Sequence, residues 1–283
     1  MHTLYATDGR EPAVWAGRLL VRLAEPRLAE VTALHVDEYG NPVVADRFAE
    51  AALGSAVESL SRAGLKAGRK RVRGNVKQAI EEELATGTYD LAAMGIGNEG
   101  WLGRLILGGV STSVLHQSSI PTLVVARAPA ETHDRIKVVV GADGSPAAAQ
   151  GMDALLGLTA PDRCEVFVRS VVDVLIPPAV GWPQVEVASA AAEFEELAAT
   201  ATEAAERHLQ EAIGRFDAEG FATMGDVVRG SPAIRLTEAI EQRDADLVVV
   251  GSRGLGRVAS AVLGSVSAHL VRTAPATLVG KHA

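Results

Sequence analysis

The chain repeats itself, and a repeat of this length restricts the possible folds more than any other feature of the sequence. Leu107-Gly108-Gly109-Val110-Ser111 returns as Leu263-Gly264-Ser265-Val266-Ser267, 156 residues later. At the same offset, Tyr89-Asp90-Leu91 through Met94-Gly95 returns as Ala245-Asp246-Leu247 through Val250-Gly251, and Val72-Arg73-Gly74 as Val228-Arg229-Gly230. Nearer the start, Ala6-Thr7-Asp8-Gly9 matches Gly141-Ala142-Asp143-Gly144 at an offset of 135. Four ordered matches along both halves point to a duplicated domain. The offset grows by 21 between residues 171 and 230, where Pro177, Pro178, Gly181, Trp182 and Pro183 interrupt any regular pattern. A length of 283 residues leaves room for two domains of ~140 each. They are expected at 1–128 and 134–283, joined by the short connector Ala128-Pro129-Ala130-Glu131.

Within each half, short apolar runs rich in Val suit buried parallel strands, which have no polar face. They fall at 31–36, 91–94 and 123–125, and again at 136–140, 166–168, 247–250 and 277–279. Ala- and Glu-rich stretches at helical spacing lie between them, as at 43–62 and 187–216. Gly230-Ser231-Pro232 reads as a helix start, with Ser at the N-cap and Pro in the first turn. Strand, helix and parallel strand in succession predict an α/β fold, with two tandem open parallel sheets and helices on both faces of each. In such sheets ligands bind beyond the carboxyl ends of the strands.

Composition removes several classes of function. The chain carries 27 Lys+Arg against 35 Asp+Glu, a formal charge of −8, which argues against a nucleic-acid partner. One cysteine, Cys164, excludes a disulfide framework, and seven histidines without paired spacing argue against a metal cage. No apolar run reaches the ~20 residues of a membrane span, and the first residues lack signal-peptide features. A cytoplasmic protein is expected. The charge is unevenly shared: residues 1–133 carry a net −1 and residues 134–283 a net −7.

Directly after the run at 247–250 comes Gly251-Ser252-Arg253-Gly254-Leu255-Gly256-Arg257, and then Gly264-Ser265-Val266-Ser267 opens a helix. Glycines let backbone approach an anion, and a helix start presents unpaired N–H groups and a positive dipole end. Ser265 and Ser267 add hydroxyls, and Arg253 and Arg257 add positive charge. Such a loop either binds phosphate or serves as a tight turn that lets helix and sheet pack closely. No Gly-x4-Gly-Lys-Ser/Thr motif is present, so a P-loop is excluded. Gly95-Ile96-Gly97-Asn98-Glu99-Gly100 fits Gly-x-Gly-x-x-Gly, but no acidic residue follows up to Ala130 to hold a ribose.

The spacing Gly251-x2-Gly254-x9-Gly264-Ser265 resembles the nucleotide motif of the universal stress protein family. Val138-Val139-Val140-Gly141-Ala142-Asp143-Gly144-Ser145, Arg229-Gly230-Ser231-Pro232 and Ala274-Pro275-Ala276-Thr277-Leu278-Val279 support it. The resemblance covers both halves, as in a tandem member of the family. It implies Rossmann-like domains paired about a pseudo-twofold axis through their last strands, at 122–126 and 277–280, and further self-association of chains. It also implies ATP, with Mg between phosphate oxygens, held by the second half. Asp143 and Val171 would face the adenine, and Val250 and Gly251 the ribose. Arg253, Gly254, Gly264, Ser265, Val266 and Ser267 would hold the phosphates. The function implied is a stress-response or regulatory nucleotide-binding protein with little turnover, acting through protein partners. Other readings stay open: a slow ATPase, an adenine-nucleotide α-hydrolase-like enzyme, or a nucleotide-free scaffold. The hydrolases carry a Ser-Gly-Gly-x-Asp-Ser loop, from which Gly144-Ser145-Pro146 departs.

The first half departs from the motif, with Gly95, Asn98, Gly108 and Gly109 at the positions of Gly251, Gly254, Gly264 and Ser265, and with Trp101 for Arg257. Weak or absent nucleotide binding is expected there. The basic run Lys66-Ala67-Gly68-Arg69-Lys70-Arg71-Val72-Arg73 reads as an edge strand protected by charge. His208 and His269 read as structural, and Cys164 as a buried or idle thiol. The insertion around 177–183 is a candidate lid over the nucleotide, anchored by Trp182.

Overall fold

A computed structural model describes residues 1–38, 42–96, 109–130, 134–173, 184–254 and 263–281, with side chains described outside 42–44 and 184–194. The first half runs β1 (His2–Ala6), α1 (Glu11–Leu23), β2 (Glu30–Asp37), α2 (Pro42–Arg62), β3 (Lys66–Arg73), α3 (Val76–Leu84), β4 (Leu91–Gly95), α4 (Gly109–Gln117) and β5 (Thr122–Val125). The second repeats the order: β6 (Ile136–Gly141), α5 (Pro146–Leu158), β7 (Cys164–Val172), α6 (Gln184–Ala218), β8 (Thr223–Arg229), α7 (Pro232–Arg243), β9 (Leu247–Gly251), α8 (Ser265–Thr273) and β10 (Ala276–Gly280).

The two expected sheets are fused into one of ten strands, ordered β3-β2-β1-β4-β5-β10-β9-β6-β7-β8. Every pairing is parallel except β5 with β10, where Thr277 lies opposite Val124 and Leu278 opposite Leu123. Antiparallel pairing of the last strands removes two edges that would otherwise expose unpaired backbone groups. In each half the strand order reverses between the first strand and the fourth, leaving a crevice at their carboxyl ends. In the second half that crevice lies between β6 and β9.

The core follows the apolar runs. β4, β5 and β10 are buried along their whole length except for Gly95, and helices cover both faces of the sheet. The basic run is edge strand β3, where Lys66 pairs with Glu30 (2.7 Å), Arg69 with Glu50 (3.0 Å) and Arg71 with Asp37 (2.6 Å). Cys164 opens β7 inside the core, and burial pushes its thiol up to about 12.

The insertion also falls into place. Helices α2 and α6 end 156 residues apart, and each is followed by a positive-φ glycine, Gly64 (82°) and Gly220 (84°). Strands β2 and β7 end 135 apart. The extra residues therefore lie between β7 and the shared part of α6, which has 35 residues against 21 in α2. Part of the insertion is helix rather than loop. Pro177, Gly181, Trp182 and the lid built on them lie outside the described residues.

Candidate functional site

Strand β6 ends at Gly141, beside Arg169 of β7, and the Ala142 N–H donates to the Arg169 carbonyl (3.0 Å). Asp143 follows. Its Oδ1 accepts from the Ser145 N–H (2.9 Å), and Ser145 in turn caps α5 through the Ala148 N–H (3.1 Å). One carboxylate oxygen thus forms the turn. The other, Oδ2, faces the loop after β9, where a Cβ placed on Gly254 would come within 2.9 Å of it. Val171 stands two residues beyond Arg169 and is level with Asp143 on the neighbouring strand.

The loop after β9 is stapled at its base. The Ser252 N–H donates to the Gly280 carbonyl (2.7 Å), and the Ser252 carbonyl accepts from the Gly264 N–H (2.7 Å) and the Ser267 hydroxyl (3.0 Å). Glycine is required at several of these points. A Cβ on Gly251 would lie 2.7 Å from the Ala148 nitrogen, and one on Gly264 would lie 3.1 Å from the Ser252 carbonyl. Gly251 therefore lets β9 end directly against the start of α5.

Helix α8 begins at Ser265 with Gly264 as N-cap, and no side chain caps it. The N–H groups of its first turn lack intrahelical acceptors and carry the positive end of the helix dipole. Ser265 is exposed there. Ser267 is buried, and its hydroxyl is engaged by the Ser252 and Gly264 carbonyls (3.0 Å each). Val250 is likewise a core side chain, and Val266 packs on the same cluster. Of the ten residues singled out in the sequence, Asp143, Gly254, Gly264 and Ser265 converge on one mouth. Val171, Val250, Gly251, Arg253, Val266 and Ser267 frame it. Arg257 and the tip of the loop lie outside the described residues, as do Asn98, Trp101 and Gly108 in the first half.

Two residues at this site, Lys281 and His116, escaped the sequence reading, and a third, His208, was read as structural. His208 of α6 packs on the Asp143-Gly144 turn, and a Cβ on Gly144 (φ 73°) would lie 2.3 Å from its Nε2. Lys281, just past β10, is buried, and its Nζ donates to the Leu115 carbonyl in α4 of the other half. Burial, reinforced by the Arg253 charge, lowers its pKa to about 8. His116, next to Leu115, accepts the Leu263 N–H on Nδ1 (3.3 Å), one residue before the α8 cap. The end of α4 therefore contacts the second half on the side of the loop after β9. A match at offset 156 would have flagged His208, which stands where the first half has Ala52. The other two are contacts between halves, and no motif signals them.

Chemically, the mouth offers donors and positive charge, with one carboxylate at its far side. Two cations, Arg253 and Lys281, repel one another within an acidic half, and an anion relieves that repulsion. Among the described residues there is no cluster of three metal-ligating side chains, and no helix is long and apolar enough to cross a membrane.

Relatives agree with this architecture. A sequence profile of the universal stress protein family matches residues 1–126 and again 135–279. A universal stress protein of Mycolicibacterium smegmatis is 32% identical over 204 residues, covering 70% of this chain and 64% of that protein. The chain thus spans less than two thirds of that relative. A universal stress protein of Mycobacterium tuberculosis is 31% identical over 237 residues, covering 77% of this chain and 72% of that one. The crystal structure of a universal stress protein from Archaeoglobus fulgidus shares the fold, with a TM-score of 0.68 at 22% identity over 100% of this chain and 98% of that one. The chain belongs to the universal stress protein family, with two of its domains in tandem.

Proposed function

We propose that the second half binds ATP at the carboxyl ends of β6 and β9, and that the protein acts as a nucleotide-responsive regulator in the cytoplasm with little turnover. One arrangement carries this reading. The α8 N-terminus is uncapped by any side chain, held in place by the two bonds to the Ser252 carbonyl, and close to Gly254, where a Cβ would come within 2.9 Å of Asp143 Oδ2. Phosphate suits the first-turn N–H groups and the neighbouring Arg253, and a Mg ion among the phosphate oxygens would offset the acidic surroundings. Asp143 Oδ2 is the acceptor at the opposite side of the mouth, where an adenine amino group would donate to it. Low turnover is favoured because the described residues around α8 offer donors and cations, with no general base beside the helix start to activate water.

Calorimetric titration of the whole chain with MgATP tests the proposal. Expected are one tight site per chain and at least a 100-fold loss in Gly254→Glu, whose side chain would enter the mouth against Asp143. Two equal sites, or wild-type affinity in Gly254→Glu, would overturn it. If the protein takes up no ATP, the reading becomes a nucleotide-free scaffold whose partners and self-association operate through the paired halves. Phosphate release at ordinary enzymatic rates would make it a hydrolase.

A further inference from the structure

At the other end of the strands, the second half carries a groove of about 810 Å³ with no part in the site above. Its wall is formed by the starts of β6, β7 and β8 and by the last turn of α7. Val139, the last residue of β6 that lines the groove, is four residues from Asp143, roughly 13 Å at ~3.3 Å per residue.

The matching place in the first half holds a tyrosine. Registers and hydrogen bonds define the correspondence. The His2 N–H donates to Asp90 Oδ2 (2.7 Å) just as the Lys137 N–H donates to Asp246 Oδ2 (3.0 Å). Thr32 pairs with Gly68 as Phe167 pairs with Met224. In the first half the Tyr89 ring packs against His2 (4.6 Å), and its hydroxyl donates to Glu83 (2.8 Å), which Lys70 neutralises. In the second half Tyr89 is replaced by Ala245, His2 by Lys137, Gly68 by an exposed Met224 and Thr32 by a buried Phe167.

Charge at the groove runs against its surroundings. The second half is net −7, yet Arg135, Lys137 and Arg243 line the groove, with Glu165 as the one carboxylate among the described lining residues. The Arg243 guanidinium lies 3.5 Å from the Phe167 ring centroid. A guanidinium over a ring keeps its N–H donors around its rim, where a carboxylate or sulfonate accepts from them. Apolar lining from Val138, Val166, Met224 and Ala245, beside a guanidinium held over Phe167 and two further cations, is the chemistry of a small-molecule site, in which a few polar groups orient an otherwise apolar ligand.

We infer that this groove binds a small organic anion with a planar aromatic body, its acid group on Arg243 and Lys137 and its ring against Met224 and Ala245. The inference is independent of the ATP site. It is tested on the full chain with 8-anilino-1-naphthalenesulfonate as fluorescent probe and with uncharged N-phenyl-1-naphthylamine as the matched control. Expected are saturable binding of one sulfonate per chain, at least tenfold weaker binding of the neutral analogue, and no displacement by MgATP. Arg243→Glu, at an exposed position, should weaken the sulfonate at least tenfold with an unchanged melting temperature. Ala245→Tyr, which introduces the tyrosine of the first half, should abolish it, and Gly254→Glu should leave it as in wild type. Equal binding of both probes, wild-type affinity in Arg243→Glu, or displacement by MgATP would each overturn the assignment. If instead a protein docks on this edge, the probes bind no better to wild type than to Arg243→Glu, which also refutes it.

Discussion

The two halves share one plan, and their differences fall at the two ends of the strands. At the carboxyl ends, the first half has Ala52 where the second has His208, and its last strand leads into Ala126 where β10 leads into Lys281. At the amino ends, the first half holds Tyr89 where the second has Ala245 and a groove. The shared core fixes neither difference. The two copies also touch near these differences, where α4 of the first half bonds Leu263 and Lys281 of the second.

The largest contrast is one of packing. Gly280 and Val125 hold the same register next to Gly251 and Gly95. A Cβ on Gly280 would lie 2.0 Å from the Ala147 carbonyl and 2.4 Å from the Gly151 nitrogen, because α5 approaches the sheet through its own glycine. Valine is accommodated at the first position and excluded at the second. Gly280→Val is therefore predicted to destabilise the chain by about 3 kcal/mol or more, the range of severe overpacking. Urea denaturation measures this, and a loss below 1 kcal/mol would mean that α5 moves aside easily.

The next contrast is electrostatic. Lys281 has a pKa lowered to about 8, by burial first and then by Arg253. A bound triphosphate stabilises the charged form and raises that pKa toward its ordinary ~10.4, so above pH 8 binding takes up a proton. ATP affinity should then fall as pH rises from 8, by up to about tenfold per unit until the raised pKa is passed. Lys281→Met should flatten this slope. A wild-type affinity constant from pH 7 to 10 would show that the lysine does not sense the ligand.

A smaller effect is expected across the halves. Removing His116 deletes one neutral acceptor for the Leu263 N–H, worth about 0.5–1.5 kcal/mol. His116→Ala should weaken MgATP by about three- to tenfold with little change in melting temperature. Unchanged affinity would reduce α4 to a packing element.

Much of this was legible in the sequence, for identifiable reasons. Val-rich runs mark strands because both faces are buried, and the pairing of the repeats marks two copies. Asp143, Gly254, Gly264 and Ser265 could be singled out as candidates because local loop chemistry is written in short stretches of sequence. Ser267 was read as a donor to ligand, and only the fold reveals that its hydroxyl serves the Ser252 carbonyl. Lys281 and His116 meet partners 166 and 147 residues away, so nothing in their own neighbourhoods signals a role. The insertion read as an irregular loop because its prolines dominate the pattern, while its downstream part belongs to α6.

His208 offers the finest comparison. It packs on Gly144, the residue after Asp143, while in the first half a Cβ on Gly9 would lie 3.0 Å from the Ala52 Cβ. Both glycines have the same left-handed conformation, at φ 73° and 77°, so the turn itself does not need the imidazole. What the ring adds is a polar group and an apolar face beside the proposed adenine position. His208→Ala is expected to preserve the fold and weaken MgATP by about two- to fivefold, the worth of one modest contact. Ala52→His should create no new site, because the first half also lacks the Gly254 and Ser265 positions. An identical affinity in His208→Ala would make the imidazole a filler between α6 and the turn. A new site in Ala52→His would mean that the first half falls short by a single residue.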